Sequence, residues 1–144
     1  MKPELDQVLQ DKYPLIFPDR ESRYYGSECG DGWFNIIDTM CSAIQSHIDH
    51  TNRVNPEDPV YQVMVTQVKE KFGGLRFYYV GGDDYCRGIV AMAEAMSYHV
   101  CEVCSDQAST FDDGGWIMTL CEKHRQEQIE RREKIEKERA NVSG

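Results

Sequence analysis

No stretch of the chain approaches the roughly 18 consecutive apolar residues that a membrane-spanning helix needs, so no bilayer-crossing segment is expected. The opening residues MKPELDQVLQ contain no apolar h-region, so no secretory signal is expected at this N-terminus and a cytoplasmic setting is. Walker A, GxSxG, HExxH and GxGxxG patterns are all missing, and with them the usual signatures of nucleotide, ester, zinc-protease and dinucleotide chemistry. A positive charge balance is missing too: 25 acidic residues face 16 Lys and Arg, for a formal charge of −9. The shortfall is local. Residues 1–120 hold 19 acidic and 9 basic side chains, and residues 121–144 hold 6 and 7, so the body carries −10 and the tail +1. Such a body repels a phosphate backbone, which disfavours nucleic acid as partner and favours a protein with a basic surface.

What the chain does contain is globular: 144 residues, 40% hydrophobic and 28% charged, enough for one core. Pro3 to Lys12 reads as a short helix with proline in its first turn and Leu5, Val8 and Leu9 as a narrow apolar stripe. The Tyr13–Pro14 step ends it. Residues 17–30 have no period and read as a long loop, of the kind that is functional or mobile. A second helix near 32–49 carries Trp33, Ile36, Ile37, Met40, Ile44 and Ile48 at helical spacing, with Asp31 as N-cap and Cys41 beside the stripe. Thr51 to Pro59 reads as a loop.

Near 61–80 the period changes to that of strands, and Gly73–Gly74 marks a hairpin turn. That turn would pair Phe72 with Leu75, Glu70 with Phe77 and Val68 with Tyr79 on an apolar face. The other face would hold Lys71 with Arg76, Lys69 with Tyr78, and further down Val63, Val65 and Val80. A third helix near 84–98, capped by Asp83 or Asp84, would bury Tyr85, Ile89, Met92 and Met96. After Arg125 the chain is almost wholly charged and reads as a solvated helix, fraying after Arg139. Glu127–Arg131, Glu130–Lys134 and Glu133–Lys137 are its i,i+4 pairs.

The chemistry concentrates between these last elements. Cys101-Glu-Val-Cys104 and Cys121-Glu-Lys-His124 give a C-x2-C-x16-C-x2-H spacing. Three thiolates and an imidazole suit tetrahedral Zn²⁺, and six cysteines in a chain without an export signal suit thiols or metal ligands better than disulfides. Between the pairs, Gln107 to Phe111 and Trp116 to Leu120 read as strands joined by Asp112-Asp113-Gly114-Gly115, and Cys121 opens the charged helix. Knuckle, hairpin and helix in that order resemble a treble-clef zinc finger. His99 competes for the histidine position, and Cys29 is an alternative sulfur. A thioredoxin-type role for Cys101 and Cys104 lacks the βαβ pattern it needs. Four protein ligands close the site, so a structural ion is expected and no catalytic residue is assigned. A His-Asn-His nuclease would need a histidine on the hairpin, and residues 105–120 contain none.

Other candidates stay open. His47 and His50 could bind a metal but read as solvent-facing helix surface. Cys86 reads as partly buried, and Cys29, in the turn-rich segment Glu28 to Trp33, as exposed. Lys69, Lys71, Arg76 and Tyr78 form a basic–aromatic patch that is either a partner contact or an ordinary hairpin face.

Three segments together, GDGW at Gly30 to Trp33, VKEKFGGLRFY at Val68 to Tyr78 and CEVC…GGWIMTLCEKH at Cys101 to His124, resemble a group of small uncharacterised bacterial and bacteriophage proteins. The resemblance covers most of 28–124 and leaves out the N-terminal segment and the charged tail. Relatives of this pattern often have a Gly- and Pro-rich segment after the second cysteine, from which Ser105 to Phe111 departs. The resemblance implies a zinc site and an intracellular, phage-linked setting, which would place the chain in a host cytoplasm. It implies no reaction.

The expectation is therefore an α+β protein. A helical body with a hairpin occupies 1–98, and a treble-clef zinc module with an exposed charged helix occupies 99–144. It would act without catalysis, binding a host or regulatory protein. Zinc-dependent nucleic-acid binding and metal-assisted hydrolysis are the alternatives.

Overall fold

The computed structural model describes residues 1–18, 24 and 26–144. The architecture is α+β. In chain order it has α1 (Pro3–Lys12), β1 (Ser27–Glu28), a 3-10 turn (Asp31–Trp33), α2 (Phe34–Val54), β2 (Met64–Lys71) and β3 (Gly74–Val80). Then follow α3 (Asp84–Ser97), β4 (Ser109–Asp113), β5 (Trp116–Leu120) and α4 (Glu122–Val142). One sheet has the order β1-β2-β3, with β1 parallel and β3 antiparallel to β2; β4 and β5 form a separate hairpin. No helix among the described residues is long and apolar enough to cross a membrane.

The body core is built on α2, whose Ile37, Met40, Cys41, Ile44 and Ile48 are buried together with Trp33. Against them lie Leu9 of α1, Val65 and Val68 of β2, Leu75 and Phe77 of β3 and Val90 of α3. Helix α2 outruns its expected end and continues to Val54, so the connecting loop is shorter than the Asn and Pro content implies. Asp31 is not an N-cap. It lies inside the 3-10 turn, where its carboxylate accepts the Lys2 N–H at 2.7 Å.

Helix α1 has its expected bounds, but Val8 is exposed and Asp6 is buried instead. The Asp6 carboxylate is satisfied by the Tyr24 hydroxyl at 2.9 Å and by the Ser27 hydroxyl at 2.8 Å and N–H at 3.2 Å. This anchors the segment read as a long loop, where Phe17 and Tyr24 are buried edge to face and β1 joins the sheet. Residues 19–23 and 25 of that segment lie outside the described residues.

The β2–β3 hairpin turns one residue earlier than expected. Lys71 pairs with Gly74, and Phe72 and Gly73 form the turn, both with positive φ (52° and 79°). This is the backbone twist that a two-residue hairpin requires, although it sets an aromatic side chain where Asn or Gly is usual. Phe72 consequently stands 65% exposed instead of pairing with Leu75. Glu70 now opposes Leu75, Val68 opposes Phe77, and an irregularity between Val65 and Gln67 breaks the alternation. That break puts Val65 and Val68 on the buried side together, and Val63 is buried too; simple alternation assigned Val63 and Val65 to the other face.

Helix α3 also departs from expectation. Asp83 caps it, accepting the Cys86 N–H at 3.0 Å. Its buried stripe is Cys86, Val90, Ala93 and Ser97, while Tyr85, Met92 and Met96 are exposed. The helix is apolar on two sides, and the described residues cover only one of them. The other forms, with Ile36, Met40 and Ala43 of α2, an apolar groove of about 570 Å³.

Helix α4 is continuous to Val142, past the expected fraying point, and buries no residue completely. Among the described residues the three expected i,i+4 pairs form no ion pair within 4.0 Å. Arg132 bonds instead to the nearly buried Asp113 at 2.8 Å, which holds α4 against the β4–β5 hairpin.

Candidate metal centre

The segment Val100 to Ser105 is shaped by backbone hydrogen bonds. Cys101 donates its N–H to the Asp106 carbonyl at 2.8 Å, and Ser105 donates its own to the Cys101 carbonyl at 3.0 Å. The turn needs a left-handed residue at Ser105 (φ 71°), the position where glycine would sit without strain. A knuckle therefore forms even though the glycine is absent. Strands β4 and β5 then return the chain through the two-residue turn Gly114–Gly115, with Asp113 paired to Trp116. Cys121 is the residue that precedes α4, and His124 follows one turn later on the same face.

These elements bring Cys101, Cys104, Cys121 and His124 together, with their ligand atoms all within 4.8 Å of one another. Cys121 Sγ lies 3.2 Å from His124 Nδ1, Cys101 Sγ 3.6 Å from the same nitrogen, and Cys104 Sγ 3.7 Å from Cys121 Sγ. The imidazole thus presents Nδ1 inward, and its Nε2 faces outward, 3.9 Å from the Glu127 carboxylate. Cys101 and Cys121 are buried and Cys104 is exposed, so the cluster is closed on the protein side and open only at one edge. The four residues could hold a metal ion.

The electrostatics fit that role. Burial penalises a Cys101 thiolate, but backbone N–H groups of Cys121, Cys104 and Val103 donate to its sulfur and hold the thiol below its ordinary value. The Asp106 N–H favours a Cys104 thiolate, yet burial and the sulfurs of Cys101 and Cys121 outweigh it and push Cys104 up to about 12. Crowded thiols cannot all ionise without a cation among them, and a divalent ion removes that obstacle.

The alternative ligands lie elsewhere. The His99 side chain is exposed and outside the cluster. Cys29 is buried in the body core, contrary to its expected exposure, and burial pushes its thiol up to about 12. Cys86 is also fully buried, not partly so.

The GDGW motif supports this centre, a role invisible in the sequence. The Gly32 N–H donates to the Glu102 carbonyl at 2.8 Å, the Gly30 N–H to the Glu102 carboxylate at 3.0 Å, and the Ser105 hydroxyl to the Gly32 carbonyl at 2.6 Å. The buried Trp33 donates its indole N–H to the Val100 carbonyl at 2.9 Å. A Cβ on Gly30 or Gly32 would collide with the backbone of Cys101 and Glu102, so both glycines are required by close approach. Burial raises the Glu102 carboxyl, which the Gly30 N–H partly offsets. The VKEKFGGLRFY segment reaches the same region, because the Thr119 hydroxyl donates to the Gly73 carbonyl at 2.6 Å and the Thr119 carbonyl accepts the Glu102 N–H at 3.2 Å. The three segments that carry the resemblance meet around the knuckle and the adjoining strand β5.

Of the basic–aromatic patch, Lys69 opposes Arg76 and Gln67 opposes Tyr78, which puts Lys69, Lys71, Arg76 and Tyr78 on one hairpin face in a different register from that expected. Arg76 is already engaged by the Tyr98 hydroxyl at 2.8 Å and the Leu75 carbonyl at 2.7 Å. The histidine pair is split. His50 is exposed, but His47 is partly buried and lies 2.7 Å from the Asp83 carboxylate, a partner 36 residues away that the local sequence does not reveal.

No known protein family matches the chain. No curated protein and no solved structure matches it either.

Proposed function

We propose that the chain is a non-enzymatic interaction protein whose C-terminal module is held together by one structural Zn²⁺ on Cys101, Cys104, Cys121 and His124. Three sulfurs and one nitrogen are the donors zinc prefers, and four protein ligands leave no position for a substrate or an activated water. The module has little else to fold around. Its own core is Cys101, Phe111, Leu120 and Cys121 with Ala108 and Met118 at the edge, and two of those are ligands. Structural zinc contributes on the order of 10 kcal/mol in small modules, enough to order this one.

The observation that carries the interaction reading is the uncovered apolar groove between α2 and α3. Isolated apolar side chains are ordinary on a surface, but a contiguous groove with Tyr85, Met92 and Met96 half or more exposed is not. Methionine-rich walls adapt to a docking helix or loop. Residues 1–120 together carry a formal −10, which favours a partner with basic flanks. A host or regulatory protein fits this description, and an inhibitor encoded by a phage and aimed at a nucleic-acid-processing enzyme is its concrete form.

The test is a pull-down from bacterial lysate with wild type and Met92→Glu side by side, together with a salt titration against RNA and DNA. A protein partner retained by wild type and lost by Met92→Glu is the expected result. Tight nucleic-acid binding that falls steeply with salt, with no protein partner, would instead support the nucleic-acid reading through Lys69, Lys71, Arg76, Arg125, Arg131 and Arg132.

A further inference from the structure

A second group of ligand-bearing side chains lies on the body, built from residues the Cys3His cluster does not use. His47 of α2, Asp83 at the cap of α3 and Cys86 in its first turn bring one nitrogen, one oxygen and one sulfur within 4.8 Å of one another. We propose that these three residues form a second metal site, an open one, for a borderline divalent cation such as Zn²⁺.

The geometry is more than a capped helix requires. The cap uses one carboxylate oxygen of Asp83, which accepts the Cys86 N–H at 3.0 Å, and any residue at position 86 supplies that N–H. Neither an imidazole nor a thiol is needed for it. The other oxygen lies 2.7 Å from His47 Nε2, and His47 is held in place on two sides. The Tyr85 ring stacks on it at 4.1 Å and 21°, and the Thr51 hydroxyl sits 3.5 Å from Nδ1. With its proton on Nδ1, directed at that hydroxyl, the imidazole presents the Nε2 lone pair to an ion, and Thr51 plays the outer-shell part that orients a ligating histidine.

Burial is graded as an accessible site demands. Cys86 is fully buried at the floor, while the side chains of His47 and Asp83 are 20% and 36% exposed at the mouth. Asp84, the next carboxylate along, is engaged by Arg87 and is not part of the group. Cys86 has no disulfide partner. On binding, the ion takes the place of the proton between Nε2 and Oδ2, and that proton moves to Nδ1. The Cys86 thiol loses its proton to solvent, so one proton is released per ion. Three protein ligands leave the fourth position to water. A single carboxylate oxygen with imidazole and thiolate is a poor set for Ca²⁺ or Mg²⁺, which demand oxygen.

The experiment is a Co²⁺ titration of the full chain, freed of metal and kept reduced. Absorption would be followed in the thiolate charge-transfer and tetrahedral d–d regions, for wild type, His47→Gln and Cys86→Ala. Wild type should take up two equivalents, a tight one at the Cys3His cluster and a weaker one. Loss of either ligand should leave the first untouched and weaken the second at least about tenfold, the minimum seen for even outer-shell losses. In Cys86→Ala the charge-transfer gain of the second phase should vanish. Because Cys86 lies in the core, Asp83→Asn serves as the check on folding: it keeps the capping oxygen, removes the carboxylate, and should also lose the second equivalent. One equivalent in wild type, or a second equivalent that survives His47→Gln and Asp83→Asn, would overturn the proposal. Failure of the first equivalent would instead overturn the structural-zinc reading.

Discussion

Replacing Gly32 by Ala probes the junction through which the body grips the knuckle of the candidate metal centre. The added methyl group would collide with the Cys101 carbonyl and with the backbone of Glu102, and neither neighbour is a flexible side chain that can swing away. The two strands of chain must separate, and two hydrogen bonds go with them: Gly32 N–H to Glu102 at 2.8 Å and Ser105 hydroxyl to the Gly32 carbonyl at 2.6 Å. Each net bond is worth about 1 kcal/mol, and a buried group left unpaired costs about 1–3 kcal/mol. A loss of about 3 kcal/mol follows. Gly32 and the candidate ligand Cys101 meet directly, so the same energy should appear in metal binding as roughly a hundredfold weaker affinity, at 1.4 kcal/mol per tenfold. The assay is urea unfolding of the metal-loaded protein together with competition against a chromophoric chelator. Gly88→Ala is the control, because a Cβ there meets nothing and α3 should gain about 1 kcal/mol from the better helix former. Equal unfolding midpoints and equal affinities for Gly32→Ala and wild type would refute the reasoning.

Two further outcomes are expected. Phe72→Asn should stabilise the protein by about 0.5–1 kcal/mol in chemical denaturation, since Asn tolerates the positive φ of this turn and little packing is lost from a side chain already 65% exposed. Asp38→Asn should lower stability at neutral pH and matter progressively less in acid. Burial raises the Asp38 carboxyl, but hydrogen bonds from Lys12 and Tyr13 outweigh it and hold it below the ordinary 3.8. A carboxyl lowered in the folded state contributes stability that is present above 3.8 and lost as pH falls through its folded value. The difference between variant and wild-type urea midpoints should therefore close below that pH, and a constant difference would contradict the assignment.

The clustering of Cys101, Cys104, Cys121 and His124 was the most legible part of the chain, because pairs in a knuckle and a helix turn obey fixed short spacings that survive without tertiary information. Helix α2 was legible for a similar reason: one apolar stripe dictates one buried face. Helix α3 misled because both its faces are apolar, so periodicity alone could not say that Cys86, Val90 and Ala93 go inward while Met92 and Met96 stay outside. The hairpin misled through a turn at Phe72–Gly73, where a pair of glycines one position later looked the better turn, and through an irregularity that alternation cannot anticipate. What could not be read at all were partnerships across long separations. Asp6 with Ser27, His47 with Asp83 and Gly32 with Glu102 pair residues 21, 36 and 70 positions apart, and nothing local marks them.

Metal content measured on pure, folded, chelator-free protein tests the central claim most directly. With Zn²⁺ supplied, elemental analysis of wild type should find at least one equivalent per chain that resists dialysis. Cys121→Ser should lose that equivalent and its C-terminal order together, read as loss of helical circular dichroism and early proteolysis beyond residue 99. A well-folded wild-type chain with far less than one equivalent, or a Cys121→Ser chain as ordered as wild type, would contradict the account.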